Sequence, residues 1–215
     1  KPLTQHHQLK AVLFQFPPFF ERSNRNFHYL QRMVEWLPGV PIAVEFRNQS
    51  WYEDGVKDAV FSFLHDLGLI HVVVDEPHAM NDGVSFEPVV TNAKLALLRL
   101  HGRNQQGWSA KGPNWRSQRT LYRYSDAELA EFKQTVEQLQ AQADEVCVIF
   151  NNNAGGDAAD NAMALKELLF WWFGAASVGF VLGWGLKKSG ENKEPYLVTS
   201  FGNFGIERTV KKHEK

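Results

Sequence analysis

The chain has 215 residues, a formal net charge of -1 and a hydrophobic fraction of 44%. This near-neutral charge provides no overall attraction to nucleic acid or to an anionic membrane surface, so composition favours neither partner. The single cysteine, Cys147, excludes an internal disulfide and is typical of a reducing compartment, which predicts a cytoplasmic protein.

Short apolar runs alternate with amphipathic segments along most of the chain. The apolar runs predict strands at 9–16, 42–46, 69–75, 94–101 and 146–150. Helical spacing of apolar residues, bounded by capping residues, proline or glycine, predicts helices at 23–37, 56–67 and 125–143, and another from Asp157 through Leu169. The alternation predicts an α/β fold with a parallel sheet built from five βα units.

Polar residues follow the predicted strands, at the edge where a parallel sheet binds its ligands. Because side chains alternate along a strand, Arg99 and His101 share a face, and Arg103 joins them if the strand persists. We expect acidic, basic and imidazole groups to converge at one mouth. The candidate site residues in this set are Gln15, Glu45, Arg47, Asp75, Glu76, Arg99, His101, Arg103, Asn151 and Asn152.

This set of residues suits three kinds of chemistry. Glu45 or Asp75 could act as a general base with His101 as the acid or its partner, because proton transfer needs groups of tunable pKa. The forked donors of the three arginines could bind a carboxylate or a phosphate. Alternatively, Glu45, Asp75 and His101 could hold a divalent metal ion, although no His-x-x-x-His or Cys-x-x-Cys spacing supports one.

Structural roles compete with these functional ones. Glu45 and Arg47 could form a structural salt bridge, and His101, which precedes a glycine, could simply end a strand. Asn151 and Asn152 could satisfy the backbone of the loop that follows the last predicted strand.

Two tryptophans on polar segments are candidate substrate-binding residues. Trp108 lies in a long, polar and aromatic segment at 104–124, and loops of that length are usually functional or mobile. Trp51 follows the second predicted strand. Both rings could instead be packing residues. Aromatic rings beside arginines also stack on bases, so a nucleic-acid or nucleotide binding module without catalysis is an alternative function.

The C-terminal part of the chain has a different character. Leu168 to Leu186 is an uncharged run, long enough to predict a hydrophobic helix that could span a membrane. A membrane anchor through this helix is the alternative to a cytoplasmic location, and burial of the helix against a partner is a third interpretation. We therefore divide the chain into a barrel part at 1–169 and an atypical tail at 170–215 that ends in a basic, polar segment.

Six stretches occur along the chain in the order AVLFQFPPFF, AVEFRNQSWY, VVVDEP, LRLHGRN, YRYSDAEL and VIFNNNAGGDAADNA. Together they resemble the YecE-like proteins, the family called domain of unknown function 72. The resemblance covers about 9–169 and implies a TIM-type (β/α)8 barrel. The activity of the family is not established, so the resemblance supports a strand-end site without naming its chemistry. The family's motif positions fall on Gln15, Glu45, Arg47, Trp51, Asp75, Arg99, His101, Arg103, Asn151, Asn152 and Asn161.

Members of that family carry additional strands before the first of these stretches. The five predicted strands would then be the fourth to eighth of the barrel, which would leave the barrel open. Three functions follow as hypotheses: an enzyme that acts on a small anionic or sugar-like substrate through Glu45, Asp75 and His101, a binding module, or an inactive truncated remnant. The oligomeric state and any cofactor beyond a divalent metal are unknown at this level.

Overall fold

The computed structural model describes residues 9–77, 83–110, 112, 115–173, 184–187, 197–199 and 208–210. The strands are β1 (Val12–Gln15), β2 (Ile42–Glu45), β3 (Ile70–Asp75), β4 (Ala96–Leu100), β5 (Glu145–Phe150), β6 (Trp184–Lys187), β7 (Leu197–Thr199) and β8 (Arg208–Val210). The helices are α1 (Asn24–Trp36), α2 (Lys57–Asp66), α3 (Gln105–Trp108), α4 (Trp115–Arg119), α5 (Asp126–Gln140) and α6 (Asp157–Phe173), and a 3-10 turn spans Gln49–Trp51.

The first five strands form a parallel sheet in chain order. Every residue of β2, β3 and β4 is buried, which explains why apolar residues predominate on both faces of these strands. The predicted α/β fold with a parallel five-stranded sheet is confirmed. It is consistent with part of a TIM-type barrel.

The helices begin where the sequence places capping residues. The Ser23 side chain accepts a hydrogen bond from the Asn26 backbone at the start of α1, and Ser125 and Glu128 form a capping box at the start of α5. One predicted βα unit has no helix in its described part. The chain between β3 and β4 is irregular from 83 to 95, so the prediction of five complete βα units is wrong at this connection.

One face of the sheet packs against the helices. Leu98 of β4 and Val148 of β5 lie in a buried cluster with Val136 of α5 and Leu165 of α6. A second cluster joins β1 to β3 with α1 and α2. The helices cover this face of the sheet. Most of the polar residues at the strand ends therefore lie on the opposite face, which we call the inner face.

The sheet is strongly curled around its inner face. Lys10, just before β1, forms a salt bridge with Glu145 at the start of β5. In a flat sheet four strand spacings would separate these two strands by about 19 Å, farther than the two side chains reach together. The curl therefore brings side chains from non-neighbouring strands into contact across the inner face.

In the residues that the structure describes, the predicted hydrophobic helix does not extend to Leu186. Helix α6 ends at Phe173, and Trp184–Lys187 is a strand that pairs antiparallel with β5. Residues 174–183 of the predicted helix lie outside the described residues. Gly183 and Gly185 flank Trp184, and glycine costs about 1 kcal/mol in a helix interior, so the local sequence favours an extended backbone here. Within the described ranges, no helix is both long and apolar enough to cross a membrane.

Candidate functional site

The strand register places one set of polar residues on the inner face. Gln15 of β1 pairs with Glu45 of β2, and Val74 of β3 pairs with Arg99 of β4. Because side chains alternate, Arg99 lies on the inner face with Glu45, and Glu76 and His101 lie one layer further towards the carboxyl ends. We call this group the inner-face cluster: Gln15, Glu45, Arg47, Glu76, Arg99, His101 and Asn151.

Glu45 lies at the centre of the inner-face cluster and is fully buried. Its Oε1 lies 2.7 Å from Nε of Arg47 and 3.3 Å from Nε2 of His101, and its Oε2 accepts a hydrogen bond from Nη1 of Arg99. Burial alone would raise the pKa of Glu45, but the charges of Arg99 and Arg47 outweigh burial and hold that pKa well below its usual range. Glu45 is therefore a permanent anion that holds the arginines together.

Arg47 connects Glu45 to a second carboxylate. Its Nη1 donates to Oε2 of Glu76, and its Nη2 lies 3.0 Å from Nε2 of His101. The guanidinium carbon also lies 5.8 Å from the centre of the Trp108 ring, within cation–π distance. Arg47 thus contacts four of the predicted site residues.

Of the two carboxyl groups in the inner-face cluster, that of Glu76 has its pKa closer to neutral pH. Its Oε1 accepts a hydrogen bond of 3.0 Å from the backbone N–H of Val84, and its other oxygen pairs with Arg47. Burial raises the pKa of Glu76 to about 7, although the charge of Arg47 and the bond from Val84 oppose that rise. Glu76 is therefore poised to gain or lose a proton near neutral pH.

His101 is a buried, neutral imidazole. Burial and the charge of Arg47 lower the pKa of His101 to about 3. Nη2 of Arg47 can only donate, so Nε2 of His101 accepts its hydrogen bond and Nδ1 carries the proton. Nδ1 lies 2.8 Å from the side-chain amide of Asn151, whose oxygen faces the imidazole N–H if the amide is turned accordingly.

Asp75 does not join Glu45 and His101, contrary to the sequence-based prediction. Because side chains alternate along β3, Asp75 points to the helix-covered face. There Tyr124 donates a hydrogen bond of 2.7 Å to Oδ2 of Asp75. Burial raises the pKa of Asp75, and the bond from Tyr124 and the charge of Arg103 only partly offset that effect. The three proposed catalytic residues therefore do not converge, and Glu76 takes the inner-face position.

Arg103 also leaves the inner face, because β4 ends before it. Gly102 has a φ of +91°, which interrupts the alternation of side chains after His101. Arg103 consequently pairs with Asp75 at 2.9 Å and with Glu128 of α5 at 3.2 Å. Its expected place beside Arg99 and His101 is wrong.

Trp51 and Asn152 have structural positions rather than positions in the inner-face cluster. The Trp51 ring is fully buried, stacks on Phe46 at 4.2 Å between centroids and donates to the backbone oxygen of Phe20. Asn152 donates to the Tyr122 backbone oxygen and to the Asn161 side chain, so it holds the loop after β5. The predicted substrate contacts of these two residues are not supported.

Arg119 lies beside the candidate site and was not among the predicted site residues. Its guanidinium lies 4.8 Å from the Trp108 ring centre and 4.4 Å from the Trp115 ring centre. Its charge also acts on Glu76, whose pKa it lowers. In the sequence, Arg119 is only an arginine within the aromatic segment at 104–124. Its position there does not reveal that α4 places it beside Trp108.

The predicted metal site lacks its third ligand. Glu45 and His101 are neighbours, but Asp75 faces the other side of the sheet. In the part of the chain that the structure describes, no group of three or more His, Cys, Asp or Glu side chains is arranged to hold a metal ion.

Two cavities lie at opposite ends of the parallel sheet. One of about 810 Å³ opens at the amino-terminal end, beside Pro41, Ile70 and Glu145. The other, of about 380 Å³, opens at the carboxyl-terminal end and is lined by Asp75 and Glu76. Ligands of parallel sheets bind at carboxyl ends, so the smaller cavity is the one beside the candidate site, and Glu76 is the member of the inner-face cluster that lines it.

The chain is similar to proteins from several bacteria. It is 42% identical over 170 residues to the UPF0759 protein YunF of Bacillus subtilis (strain 168), which covers 78% of this chain and 60% of that protein. A crystal structure at 3.10 Å of a DUF72 family protein from Enterococcus faecalis V583 matches with a TM-score of 0.75 and 38% identity, over 89% of this chain and 66% of that one. A DUF72 family protein from Thermotoga maritima MSB8 matches with a TM-score of 0.70 and 36% identity, over 78% of this chain and 60% of that one.

These relatives are longer than the chain, which spans less than two thirds of the length of each. The family model described as a protein of unknown function, DUF72, matches residues 1–175. That match and the identities above agree with the motifs of the sequence, and the chain therefore belongs to the DUF72 family.

Proposed function

We propose that this chain carries the active site of an enzyme that acts on a small anionic or sugar-like substrate at the carboxyl ends of β1–β5. In the complete fold these strands are the fourth to eighth of a (β/α)8 barrel, as the family resemblance implies. The partner is a small molecule. A cytoplasmic location, inferred from the single cysteine, is part of the same proposal.

The observation that carries the proposal is the environment of Glu76. A carboxyl group with a pKa of about 7 can both accept and donate a proton at physiological pH, which is the property that general acid–base catalysis requires. Glu76 also lines the cavity of about 380 Å³, a volume within the range of small-molecule sites. Perturbed titrating groups in a cleft favour a catalytic role.

The other members of the inner-face cluster have supporting roles in this proposal. Glu45 is too weak a base to remove a proton, because its pKa lies well below the usual range. It instead orients Arg47, whose Nη1 pairs with Glu76 and whose Nη2 bonds to His101. His101, neutral at physiological pH, positions Arg47 and does not act as the acid. The catalytic roles first assigned to Glu45 and His101 thus become positioning roles.

The two alternative functions receive less support. Binding of nucleic acid through the aromatic segment requires open ring faces, but the Arg119 guanidinium already lies over both Trp108 and Trp115. An inactive remnant would not need a network of buried ions, which costs desolvation free energy. Glu45, Arg47 and Glu76 nevertheless form linked ion pairs in this chain.

Turnover of a defined metabolite mixture tests the proposed function. The purified protein is incubated at neutral pH with sugars, sugar phosphates and carboxylic acids, and proton NMR follows each component. We expect one component to be consumed, at a rate that Glu76→Gln lowers by about 100-fold or more. Glu35→Gln, a change at an exposed position of α1, is the matched control and should leave the rate unchanged. Absence of any consumption, or equal rates for wild type and Glu76→Gln, would overturn the proposal.

A further inference from the structure

The cavity beside Glu76 has a wall whose chemistry restricts its ligand. It lies between the ends of β3 and β4 and has a volume of about 380 Å³. Polar and apolar groups both line it. The lining residues are Asp75, Glu76, Pro77, Val84, Phe86, Arg103 and Gln105.

The charged part of this wall is unfavourable for an anion. Of the lining residues that the structure describes, Arg103 has the only positive charge, and two of the others are acids. Arg103 already pairs with Asp75 at 2.9 Å, with Glu128 at 3.2 Å and with Glu131 at 3.6 Å. Three carboxylates therefore share the Arg103 guanidinium, which leaves it little attraction for a carboxylate or phosphate that enters the cavity.

The same carboxylates are suitable acceptors for hydroxyl groups. A carboxylate has about four lone-pair directions. Each oxygen of Asp75 accepts one hydrogen bond from the protein, from Arg103 and from Tyr124 respectively. The oxygens of Glu76 likewise have one donor each, Arg47 and the Val84 backbone. Both residues therefore have lone pairs that can accept further hydrogen bonds. Neutral O–H groups can donate to these lone pairs without bringing a charge into the cavity.

The apolar part of the wall contains an aromatic ring that is open to solvent. Phe86 is 37% exposed, and its ring centre lies 6.2 Å from that of Phe132 in α5. Pro77 and Val84 extend this apolar surface. An aromatic ring and hydrogen-bond acceptors that line the same cavity suit a ligand with one C–H face and an edge of hydroxyl groups.

We propose that the cavity binds a neutral polyhydroxyl compound of the sugar class, with its hydroxyl groups on Asp75 and Glu76 and its C–H face on Phe86. This inference depends on the proposed function, which left an anionic and a sugar-like substrate open, and it selects the second. Phe86 is a specificity residue in this arrangement. Asp75, although turned away from Glu45 and His101, regains a role as a ligand-binding group.

Titrations of the protein monitored by amide proton–nitrogen NMR test the inference. The neutral probes are D-glucose, D-mannose, D-ribose and myo-inositol, and the anionic probes are inorganic phosphate and citrate. We expect saturable shifts with at least one neutral probe, centred on the residues around Phe86, and none there with the anions. Phe86→Ala should weaken binding by about tenfold, the equivalent of one aromatic contact, whereas Phe86→Tyr should preserve it. Phe19→Ala, at a ring 84% exposed and outside the cavity, is the control and should have no effect.

The outcomes separate this inference from the proposed function. Saturable binding of a neutral probe, together with no consumption of any component of the metabolite mixture, would refute the enzymatic proposal and still support the sugar-class ligand. Saturable phosphate or citrate binding at the cavity would overturn the sugar-class inference and leave an enzyme with an anionic substrate. Failure of every neutral probe to shift the cavity resonances, or an unchanged affinity in Phe86→Ala, would also overturn the inference.

Discussion

At the scale of single residues, the alternation of side chains along β3 decides which carboxylate belongs to the inner-face cluster. Asp75 and Glu76 are adjacent, so one must face the helices when the other faces the curled interior. Glu76 contacts Arg47, and Asp75 contacts Tyr124 on the other side. The functional consequence is that the group able to exchange a proton near pH 7 is Glu76.

The raised pKa of Glu76 makes the stability of the protein depend on pH in a defined direction. Above pH 4.5 the unfolded carboxyl group has lost its proton, while the folded one keeps it up to about pH 7. The folded state thus binds more protons in this window, and the stabilising contribution of Glu76 is lost as pH rises. We expect the free energy of unfolding of wild type, relative to Glu76→Gln, to fall by about 3 kcal/mol from pH 4.5 to 7.

Urea denaturation of both proteins across that range gives this difference. Because the histidines and the other carboxyl groups titrate in both proteins, their contributions cancel. A difference that stays constant from pH 4.5 to 7 would mean that Glu76 titrates as it does in the unfolded chain.

The sequence alone predicted which strands carry polar ends, but not which polar side chains meet. Glu45, Arg47, Arg99 and His101 do meet on the inner face, because Glu45 and Arg47, like Arg99 and His101, lie two residues apart in the chain. Asp75 was misplaced because the apolar run of β3 does not alternate and so does not identify its inner face. Trp51 was misplaced because an aromatic residue after a strand can turn into the core as readily as towards a ligand.

At the scale of elements, the end of β4 controls where His101 and Arg103 point. Gly102 has a positive φ, its backbone N–H donates to the Tyr124 hydroxyl at 2.7 Å, and a Cβ at this position would lie 2.6 Å from the Cβ of Tyr122. Only glycine fits this turn without strain. The turn separates His101, in the inner-face cluster, from Arg103, on the opposite side.

Replacing Gly102 by alanine therefore combines backbone strain with a steric clash. Gly55→Ala is a matched control, since Gly55 has a φ of +84° and a Cβ added there would meet nothing within 4 Å. We expect Gly102→Ala to lower the free energy of unfolding by about 1–3 kcal/mol more than Gly55→Ala does. Thermal or chemical denaturation measures both variants. Equal losses would show that the contact with Tyr122 relaxes freely.

Element boundaries were predictable where local signals are strong. The capping box at Ser125 and Glu128 places the start of α5 correctly, because its hydrogen bonds are local. The strand at Trp184–Lys187 was not predicted. It depends on antiparallel pairing with β5, a distant part of the chain, which a local apolar pattern does not specify.

At the scale of the whole molecule, curvature of the sheet assembles the inner-face cluster. Arg99 of β4 reaches past β3 to Glu45 of β2 and also contacts Gln15 of β1 at 3.2 Å. Such contacts across several strands need a concave face. The family resemblance predicted this curvature, whereas strand and helix patterns alone are equally compatible with an open, twisted sheet.

A zero-length carbodiimide cross-linker tests the curvature directly. It joins an amine and a carboxylate only in direct contact, so we expect a cross-linked peptide between Lys10 and Glu145. Lys57 and Glu87, 3.0 Å apart, provide a positive control. Mass spectrometry identifies both products. Detection of the control product without the Lys10–Glu145 product would contradict the curled sheet, since a flat sheet keeps these strands about 19 Å apart.

The titration of Glu76 is the most direct test of the candidate site. Carbon-13 NMR of the glutamate side-chain carboxyl groups, with the Glu76 signal identified by its loss in Glu76→Gln, follows this group alone. A midpoint near pH 7 is expected from its burial beside Arg47. A midpoint near 4.5, the ordinary value for glutamate, would contradict the assignment of Glu76 as the proton-exchanging group.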